Sequence, residues 1–211
     1  ASNHDGGRIK IGPDGMLYPG WWAKYGTYGG AVAITNPDTG KTDLIENPLG
    51  KQSVCAVAVN NDFIFAGTGL EGNGLADKPK SIPQFGMLDR QSHKVIFQQP
   101  LGKSSVQRIL CDAKTGKIIV QVDNQLKIFD PQSKTFADLK TPMSVAGMDG
   151  RGDGVLWAGG NDALVRISLA DGKSETFKAP AKIDHLCVDQ RGRVFFSSGA
   201  ELYRFDPDAR R

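Results

Sequence analysis

Short runs of β-branched and aromatic residues alternate with polar turns along most of the chain. Two examples are SVCAVAV from Ser53 and FIFAG from Phe63, and turn residues follow each of them within a few positions. Runs of about four to seven residues with this composition are typical of strands rather than helices. The pattern therefore predicts an all-β chain with almost no helix.

One turn recurs along the chain with a similar spacing. A short polar residue opens it after an apolar strand, at Asn36, Asp89, Asp130, Ser168 and Asp206. Such side chains accept hydrogen bonds from backbone about two residues on, and a neighbouring proline presets the turn. The later positions are about 40 residues apart, and a second set of turns gives four short strands per repeat. This signature predicts the blades of a β-propeller, whereas a β-sandwich, the runner-up, does not explain the five-fold register.

The repeats divide the chain into five expected blades within one domain over residues 8–211, preceded by a flexible end at residues 1–7. The last repeat is incomplete because it lacks its fourth strand. We therefore expect the chain to belong to a larger ring of about six to eight blades, or to pair with a second chain. A self-contained ring of five blades is the alternative. The expected blades span residues 8–50, 51–102, 103–143, 144–181 and 182–211.

Composition narrows the classes of partner. The 211 residues include 26 glycines and 11 prolines, and 39% of residues are hydrophobic, which suits a packed core of short strands. The net charge is only +3 and the basic residues are scattered, so no nucleic acid partner is expected. No apolar run reaches the roughly 18 residues of a membrane-spanning helix, so we expect no membrane span.

No cofactor is predicted, although a divalent cation stays open. Cys55, Cys111 and Cys187 lie in separate apolar runs without a CxxC pair, so we interpret them as buried free thiols. The segment from Gly67 to Gly72 matches GxGxxG, but prolines follow it where a dinucleotide site needs a helix. We interpret that match as a coincidence of loop composition.

Two long connections between second and third strands predict the position of a site. They read PGWWAKYGTYGG from Pro19 and GTGLEGNGLADKPKSIPQ from Gly67, and they belong to neighbouring blades. Equivalent loops of a propeller lie on one face, and long loops on a rigid scaffold often carry function. Clustered aromatic rings suit sugar rings, other planar ligands or a protein partner. The predicted ligand-binding residues are Trp21, Trp22, Lys24, Tyr28, Glu71, Asn73, Gln107 and Asp184.

Three residues are candidates for catalysis. His185 opens a first strand near the expected channel mouth, and an imidazole is the side chain most often used as a general base or metal ligand. Arg108 opens another first strand, and its guanidinium suits bidentate binding of a carboxylate or a phosphate. Tyr25 is a second candidate to take a proton. Purely structural roles, a hydrogen bond between blades for His185 and a salt bridge for Arg108, stay open.

The segment GGAVAITNPDTGK from Gly29, with the YxG-type and FAG strands, resembles the superfamily of NHL, SMP-30-like and virginiamycin-B-lyase-like propellers. It is also similar to secreted propeller polysaccharide lyases. The resemblance implies a propeller fold and an activity drawn from lactonases, lyases and binding scaffolds. The acidic residues and asparagines that hold calcium in SMP-30-like lactonases have no matching set in this sequence, which counts against a lactonase.

These observations favour a scaffold that binds a carbohydrate or a protein partner without catalysis. The alternative is a secreted lyase or hydrolase that acts on an acidic polysaccharide or a small lactone-like substrate. Either activity suits a periplasmic or extracellular location. Missing propeller blades or a second chain are further expected partners.

Overall fold

The computed structural model describes residues 9–76 and 81–207, and all regular secondary structure in these ranges is β-strand. The flexible end predicted at residues 1–7 lies outside the described residues. The described strands form five antiparallel sheets that follow one another along the sequence. The chain is therefore an all-β propeller built of blade repeats, as the spacing of its turns predicts. Within the described ranges, no helix is long and apolar enough to cross a membrane.

Each sheet is built from consecutive strands. Sheet 1 contains β1 (Lys10–Ile11), β2 (Leu17–Tyr18), β3 (Gly20–Trp22), β4 (Gly30–Thr35) and β5 (Thr42–Glu46). Sheet 2 contains β6 (Ser53–Val59), β7 (Phe63–Gly69), β8 (Gln84–Asp89) and β9 (Val95–Pro100). Sheet 3 contains β10 (Val106–Cys111), β11 (Ile118–Val122), β12 (Gln125–Asp130) and β13 (Thr135–Leu139). Sheet 4 contains β14 (Gly147–Asp149), β15 (Val155–Gly160), β16 (Ala163–Ser168) and β17 (Ser174–Lys178). Sheet 5 contains β18 (His185–Val188), β19 (Val194–Ser198) and β20 (Glu201–Phe205).

The chain divides into two compact units, residues 1–109 and 110–211, and the division falls within β10. In the first unit, sheets 1 and 2 share a cluster of apolar side chains that are almost fully buried. Fully burying one such side chain stabilises a fold by roughly 1.5–3 kcal/mol. In the second unit, Trp157 and Leu164 of sheet 4 pack with Leu186 and Phe196 of sheet 5. That one domain spans residues 8–211 stays a prediction, as does the size of the ring.

The turn between the third and fourth strands has the same backbone geometry in four sheets. In sheet 1, the amide of Gly40 donates to the carbonyl of Asn36 over 2.9 Å, and Gly40 is left-handed with φ 69°. Equivalent bonds from His93, Lys134 and Gly172 close the turns of sheets 2, 3 and 4. The side chain of Asn36 also accepts from the amide two residues on. The predicted role of the short polar residue is thus confirmed at this turn.

Sheet 1 departs from the expected four strands. Pro19 separates β2 from β3, because proline has no amide hydrogen for the sheet ladder. Both pieces pair with β4, and the amide of Ala33 donates to the carbonyl of Pro19 between them. Trp21 and Trp22 therefore lie in a strand, whereas the sequence placed them in a loop. The first long connection is shortened to residues 23–29.

The cysteines are less buried than expected. Cys55 and Cys111 are partly buried, and Cys187 is exposed. Cys187 lies in β18 with its neighbours alternating between buried and exposed, so it belongs to the open face of sheet 5. The prediction of a buried thiol is wrong at Cys187. Successive side chains of a strand point to opposite faces, and Cys187 follows the buried Leu186, so its thiol points away from the core.

Candidate binding cleft

The first loop, residues 23–29, forms a compact turn at the end of β3. The amide of Ala23 donates to the carbonyl of Gly29 over 2.9 Å, which closes the base of the loop. At its tip, the amide of Thr27 donates to the carbonyl of Lys24 over 3.0 Å. Gly26 has φ 76°, a value that glycine adopts without steric cost. The loop thus holds its shape through its own backbone.

Asn73 joins the second loop, residues 70–83, to the first. Its side-chain amide donates to the carbonyl of Ala23 over 2.9 Å, and its own carbonyl accepts from the amide of Gly26 over 2.7 Å. Only 9% of Asn73 is exposed. Since a buried polar group costs free energy unless it is paired, these bonds fix the two loops against each other. The two long connections of the first unit therefore meet at one place.

Two glycines of the second loop receive tyrosine rings from the first. A Cβ atom at Gly72 would lie 2.8 Å from a ring carbon of Tyr28, and one at Gly74 would lie 2.2 Å from a ring carbon of Tyr25. The hydroxyl of Tyr28 donates to the carbonyl of Ala76 over 2.9 Å. The absence of side chains at these glycines is what lets the aromatic loop approach.

The second loop is also bonded to β6. The hydroxyl of Ser53 donates to the backbone carbonyl of Glu71 over 2.7 Å. Burial, and to a lesser extent the negative charge of Glu71, raise the pKa of the Cys55 thiol to about 12. Because the thiolate is the reactive form, Cys55 is a poor nucleophile at neutral pH.

A cleft of about 500 Å³ lies between the first loop and the outer strand of sheet 1. Trp21 and Leu44 form its apolar surface, and their exposed fractions are 43% and 56%. The two residues flank β4, since Trp21 pairs with Ala31 and Leu44 pairs with Ala33. Ala31 and Ala33 are themselves buried, so the indole and the leucine form the exposed apolar surface of this face. The lining comprises Trp21, Trp22, Ala23, Lys24, Tyr28, Gly30, Ala31, Thr42, Leu44, Glu46 and Asn47.

Charged groups of both signs border the apolar surface. Ala31 pairs with both Trp21 and Glu46, so the carboxylate of Glu46 belongs to the same face of the sheet as the indole. Lys24 lines the cleft from the loop side and is exposed. The cleft thus combines a flat apolar surface with one cationic donor and one anionic acceptor. This arrangement suits recognition of a ligand that has an apolar face and polar edges.

The structure brings four of the predicted ligand-binding residues together, namely Trp21, Trp22, Lys24 and Tyr28. Glu71 is exposed and Asn73 is buried, and neither lines the cleft. Asn73 instead holds the two loops together through the bonds described above. Its assignment to ligand binding stays a prediction, but the structure gives it a positioning role.

The three predicted catalytic residues lie in different elements. Tyr25 is 77% exposed at the tip of the first loop, outside the cleft lining. Arg108 is partly buried in β10, next to Gln107. His185 is exposed at the start of β18 in the second unit, where it pairs with Ser197. Their catalytic roles stay predictions.

Asp184, the last of the predicted ligand-binding residues, has a local structural role. Its carboxylate accepts from the amide of Gly199 over 2.9 Å and lies 3.3 Å from the Lys182 ammonium. The bond from Gly199, followed by that with Lys182, lowers the pKa of Asp184 below its usual value. The carboxylate therefore stabilises the hairpin between β19 and β20.

Sequence reasoning missed the contribution of β5 to the cleft. Leu44 and Ile45 are adjacent apolar residues in a strand whose other members are polar. Because successive side chains point to opposite faces, one of the two must leave the core. Ile45 packs against the core cluster and Leu44 faces the cleft. That doublet was the available signal for an apolar surface on the outer strand.

Comparisons with known proteins show the fold alone. No protein-family model matches the sequence, and no curated protein matches it. Among solved structures, the chain is similar to the extracellular domain of a protein described as a one-component system of B. thetaiotaomicron, with a TM-score of 0.64 and 14% identity over 96% of this chain. It is also similar to a structure of a mitotic checkpoint complex, with a TM-score of 0.70 and 11% identity over 99% of this chain.

The chain spans 32% of the first of these solved chains and 62% of the second. Such low identities show a shared fold and leave function open, because one fold hosts many unrelated functions. The resemblance to NHL, SMP-30-like and virginiamycin-B-lyase-like propellers stays a prediction. The expectations about a cofactor or divalent cation likewise stay predictions.

Proposed function

We propose that the chain is a non-catalytic propeller scaffold that binds a carbohydrate in the Trp21 cleft. The observation that carries the proposal is the open indole of Trp21 beside Leu44, bordered by Lys24 and Glu46. A solvent-exposed apolar surface that is surrounded by polar residues is typical of an interaction site. The cleft volume of about 500 Å³ is in the range of small-molecule sites.

A sugar ring matches the chemistry of this cleft. One face of a pyranose carries C–H groups that pack on an aromatic ring, while its hydroxyls at the edge need donors and acceptors. Glu46 supplies acceptors and Lys24 supplies donors, so both hydroxyls and a uronic carboxylate have partners. The nearby connection at residues 70–83 supports the loop that carries Lys24 and Tyr28, which keeps the cleft preformed.

An extracellular location accompanies this proposal. Free glycans are met mostly outside the cell or in the periplasm, and a structurally similar protein is an extracellular domain. The second structural neighbour belongs to a multiprotein complex, so the experiment must distinguish a glycan ligand from a protein ligand. An aromatic and aliphatic surface of this kind also fits protein side chains.

The test is a glycan array followed by calorimetric titration of the best neutral and uronic-acid oligosaccharides. We expect saturable binding that weakens at least about tenfold in Trp21→Ala, as truncation of a central aromatic contact does. Leu44→Ser should weaken binding less. Ile96→Ala is the matched control, because Ile96 of β9 is 40% exposed, close to the 43% of Trp21, and does not line the cleft.

Two results would overturn the proposal. Binding of no glycan on the array would exclude the ligand class, and undiminished binding by a folded Trp21→Ala variant would exclude the cleft. A thermal unfolding midpoint of Trp21→Ala close to that of the unaltered protein shows that lost binding is not lost folding. Conversion of the glycan to an unsaturated product would replace the scaffold with the lyase alternative.

A further inference from the structure

A second cleft lies between sheets 4 and 5, within the second unit of the chain, and has a volume of about 420 Å³. Trp157, Arg166 and Glu175 contribute to one of its walls. Trp157 pairs with Arg166, and Arg166 pairs with Glu175, so the three side chains form one row on the same face of sheet 4. Arg191, in the turn between β18 and β19, lines the cleft from sheet 5. We call this space the Arg166 cleft.

Hydrogen bonds between sheets 4 and 5 hold the walls of the Arg166 cleft in place. The amide of Val188 donates to the Asp149 carboxylate over 2.9 Å. The guanidinium group of Arg151 donates to the backbone carbonyl of Gln190 over 2.8 Å. Because both bonds join the two sheets, the cleft is preformed, and a ligand does not have to order its walls on binding.

Two of the arginines that line the cleft are not committed to other residues. The guanidinium group of Arg151 also bonds to Asp153, whereas those of Arg166 and Arg191 make no hydrogen bond or ion pair within residues 9–76 and 81–207. The Glu175 carboxylate makes none in these ranges either, although it lies opposite Arg166 in the sheet. Guanidinium groups bind oxyanions through paired, charge-assisted hydrogen bonds. The cleft therefore offers two available cationic donors and one anionic acceptor.

The equivalent space between sheets 1 and 2 is a cleft of the opposite charge. It has a volume of about 530 Å³ and is open although sheet 2 has all four of its strands. Ile34 takes the position of Arg166 in it, two residues before the turn that follows the third strand. The arginine of this acidic cleft, Arg90, lies 3.0 Å from the Asp14 carboxylate. Its lining includes the carboxylates of Asp14, Asp43, Asp62 and Asp89.

The comparison shows that the available arginines are a feature of sheets 4 and 5 and not of the repeat. It also shows that a cleft at this place is compatible with a complete four-stranded blade beside it. Since the side chains of Arg151 and Asp153 neutralise each other, the remaining charges of Arg166, Arg191 and Glu175 sum to a net positive charge. A net positive cleft with an acceptor at one side favours an anion that also carries hydrogen-bond donors.

From this geometry we propose that the Arg166 cleft binds a small hydroxylated molecule through its phosphate, sulfate or carboxylate group. The oxyanion binds Arg166 and Arg191, and a hydroxyl group of the same molecule donates to Glu175. Phe177 and Val188 give the cleft an apolar surface for the carbon frame of the ligand. A volume of about 420 Å³ is in the range of small-molecule sites.

The test is a titration of the full chain with inorganic phosphate, inorganic sulfate, glucuronate and glucose 6-phosphate, followed by NMR. We expect saturable shifts of the Nε–H signals of Arg166 and Arg191 with these anions. Glucose, which has hydroxyl groups but no oxyanion, should give no saturable shift of these signals. Arg166→Gln and Arg191→Gln should each weaken binding at least about tenfold, since each removes a hydrogen bond to a charged group.

Arg204→Gln is the matched control for the arginine variants. Arg204 is an exposed arginine of sheet 5 that does not line the cleft. The next residue, Phe205, packs against Trp157, so Arg204 points to the opposite face of β20. Its replacement should leave the affinity within about twofold of that of the unaltered protein. Equal thermal unfolding midpoints of the variants show that a loss of binding is not a loss of folding.

Glu175→Gln tests the second half of the proposal. Its affinity for inorganic phosphate should rise about two- to fivefold, because a like charge is removed from the cleft. In the unaltered protein, glucose 6-phosphate should bind more tightly than inorganic phosphate, since its hydroxyl groups reach Glu175. That difference in affinity should shrink in Glu175→Gln, because an amide oxygen is a weaker acceptor than a carboxylate.

The outcomes decide each part of the proposal. Absence of saturable binding by all four anions would overturn the site, and so would equal affinities of Arg166→Gln and Arg204→Gln. Equal affinities for inorganic phosphate and glucose 6-phosphate would overturn the role of Glu175. The tightest of the phosphate, sulfate and carboxylate probes identifies the oxyanion.

The Arg166 cleft shares no lining residue with the Trp21 cleft, so the two proposals can fail separately. Trp21→Ala should leave the affinity for all four anions unchanged. Conversely, Arg166→Gln should leave glycan binding at the Trp21 cleft unchanged. Loss of anion binding in a folded Trp21→Ala variant would overturn the assignment of the anions to the Arg166 cleft.

Discussion

The connections between second and third strands are built in two different ways in this chain. In sheets 4 and 5 they are two residues long, and their shape is set by single left-handed residues, Asn161 with φ 46° and Gly199 with φ 54°. In sheets 1 and 2 they are longer, at residues 23–29 and 70–83, and in the described part Asn73 joins them through bonds to Ala23 and Gly26. A short hairpin takes its conformation from local sequence, whereas the long pair depends on contacts between distant residues.

This difference explains where the candidate site lies. Two-residue hairpins carry few side chains beyond the strand ends, so they offer little surface for recognition. The paired long loops carry Lys24 and Tyr28 to the border of the Trp21 cleft. A rigid repeat thus supplies the frame, and the exception to the repeat supplies the binding surface.

The rigidity of the short hairpins can be challenged at Gly160, where we expect the largest effect. A Cβ atom there would lie 2.0 Å from the backbone carbonyl oxygen of Ser144. The neighbouring backbone is held by the bond from the Ala146 amide to the Gly159 carbonyl, so it cannot move cheaply. Gly160→Ala should lower the free energy of unfolding by about 3 kcal/mol, as overpacking of a tight site does. Urea denaturation measures the change.

Gly172→Ala is the matched control for that experiment. Gly172 has φ 73° and no heavy atom within 4 Å of the added methyl group, so only backbone strain is introduced. We expect a loss of about 1 kcal/mol. Equal losses of unfolding free energy in the two variants would show that the backbone at Ser144 shifts to accommodate the new methyl group. The short hairpin of sheet 4 would then not be more rigid than the long loops.

The docking of the long loops depends on Asn73, whose replacement should have the second largest effect. Asn73→Ala removes the donor to the Ala23 carbonyl and leaves that carbonyl without it in a part-buried setting. We expect the free energy of unfolding to fall by about 2 kcal/mol, the cost of an unsatisfied buried group. Hydrogen exchange should increase at the Gly26 amide, which donates to the Asn73 carbonyl.

Asn61→Ala serves as the control for the Asn73 variant. Asn61 is an exposed asparagine in the turn before β7, and its replacement should change stability by less than about 0.5 kcal/mol. Unchanged exchange at the Gly26 amide in Asn73→Ala would show that the first loop holds its shape alone. The long loops would then resemble the short hairpins in being set locally.

Turn chemistry made most of the fold predictable from sequence. Asn36 and Asp130 accept from the amides two residues on, as short polar residues at turns do. The strands between such turns follow from the alternation of apolar and polar residues. The turn residues and the alternation pattern both depend on nearby residues only, so they can be read without knowledge of the tertiary structure. Pro19 broke the pattern, because its effect on β2 and β3 depends on how both pieces pair with β4.

The candidate site was only partly predictable, because its members come from separate segments. The aromatic run identified Trp21 and Tyr28, but nothing local links them to Leu44 and Glu46 across β4. Asn73 was correctly placed in a long loop and assigned to ligand binding, although its hydrogen bonds join it to Ala23. Pairing between distant strands and loops decides which polar residues face a ligand, and composition does not report it.

The smallest effect is expected at the turn between β1 and β2. Here a charged contact, rather than hydrogen bonds between two long loops, joins sheets 1 and 2. The hydroxyl of Tyr18 donates to the Asp14 carboxylate over 2.7 Å, and Arg90 of sheet 2 lies 3.0 Å from the same oxygen. Burial and the bond to Asp14 raise the pKa of Tyr18 to about 12.

Tyr18→Phe should lower the free energy of unfolding by about 1 kcal/mol at pH 8, the usual contribution of one hydrogen bond. Since the folded-state pKa of Tyr18 exceeds its unfolded value of about 10, the stabilisation is complete below pH 10 and is lost as the pH rises toward 12. The difference between the two proteins, measured by urea denaturation across that range, should therefore shrink. Tyr25→Phe, at a 77% exposed ring, should change stability by less than about 0.5 kcal/mol at pH 8. A constant difference up to pH 12 would mean that Tyr18 has the same pKa in the folded and the unfolded protein. The bond to Asp14 would then not differ in its pH dependence from the neutral hydrogen bonds that dock the loops of sheet 1.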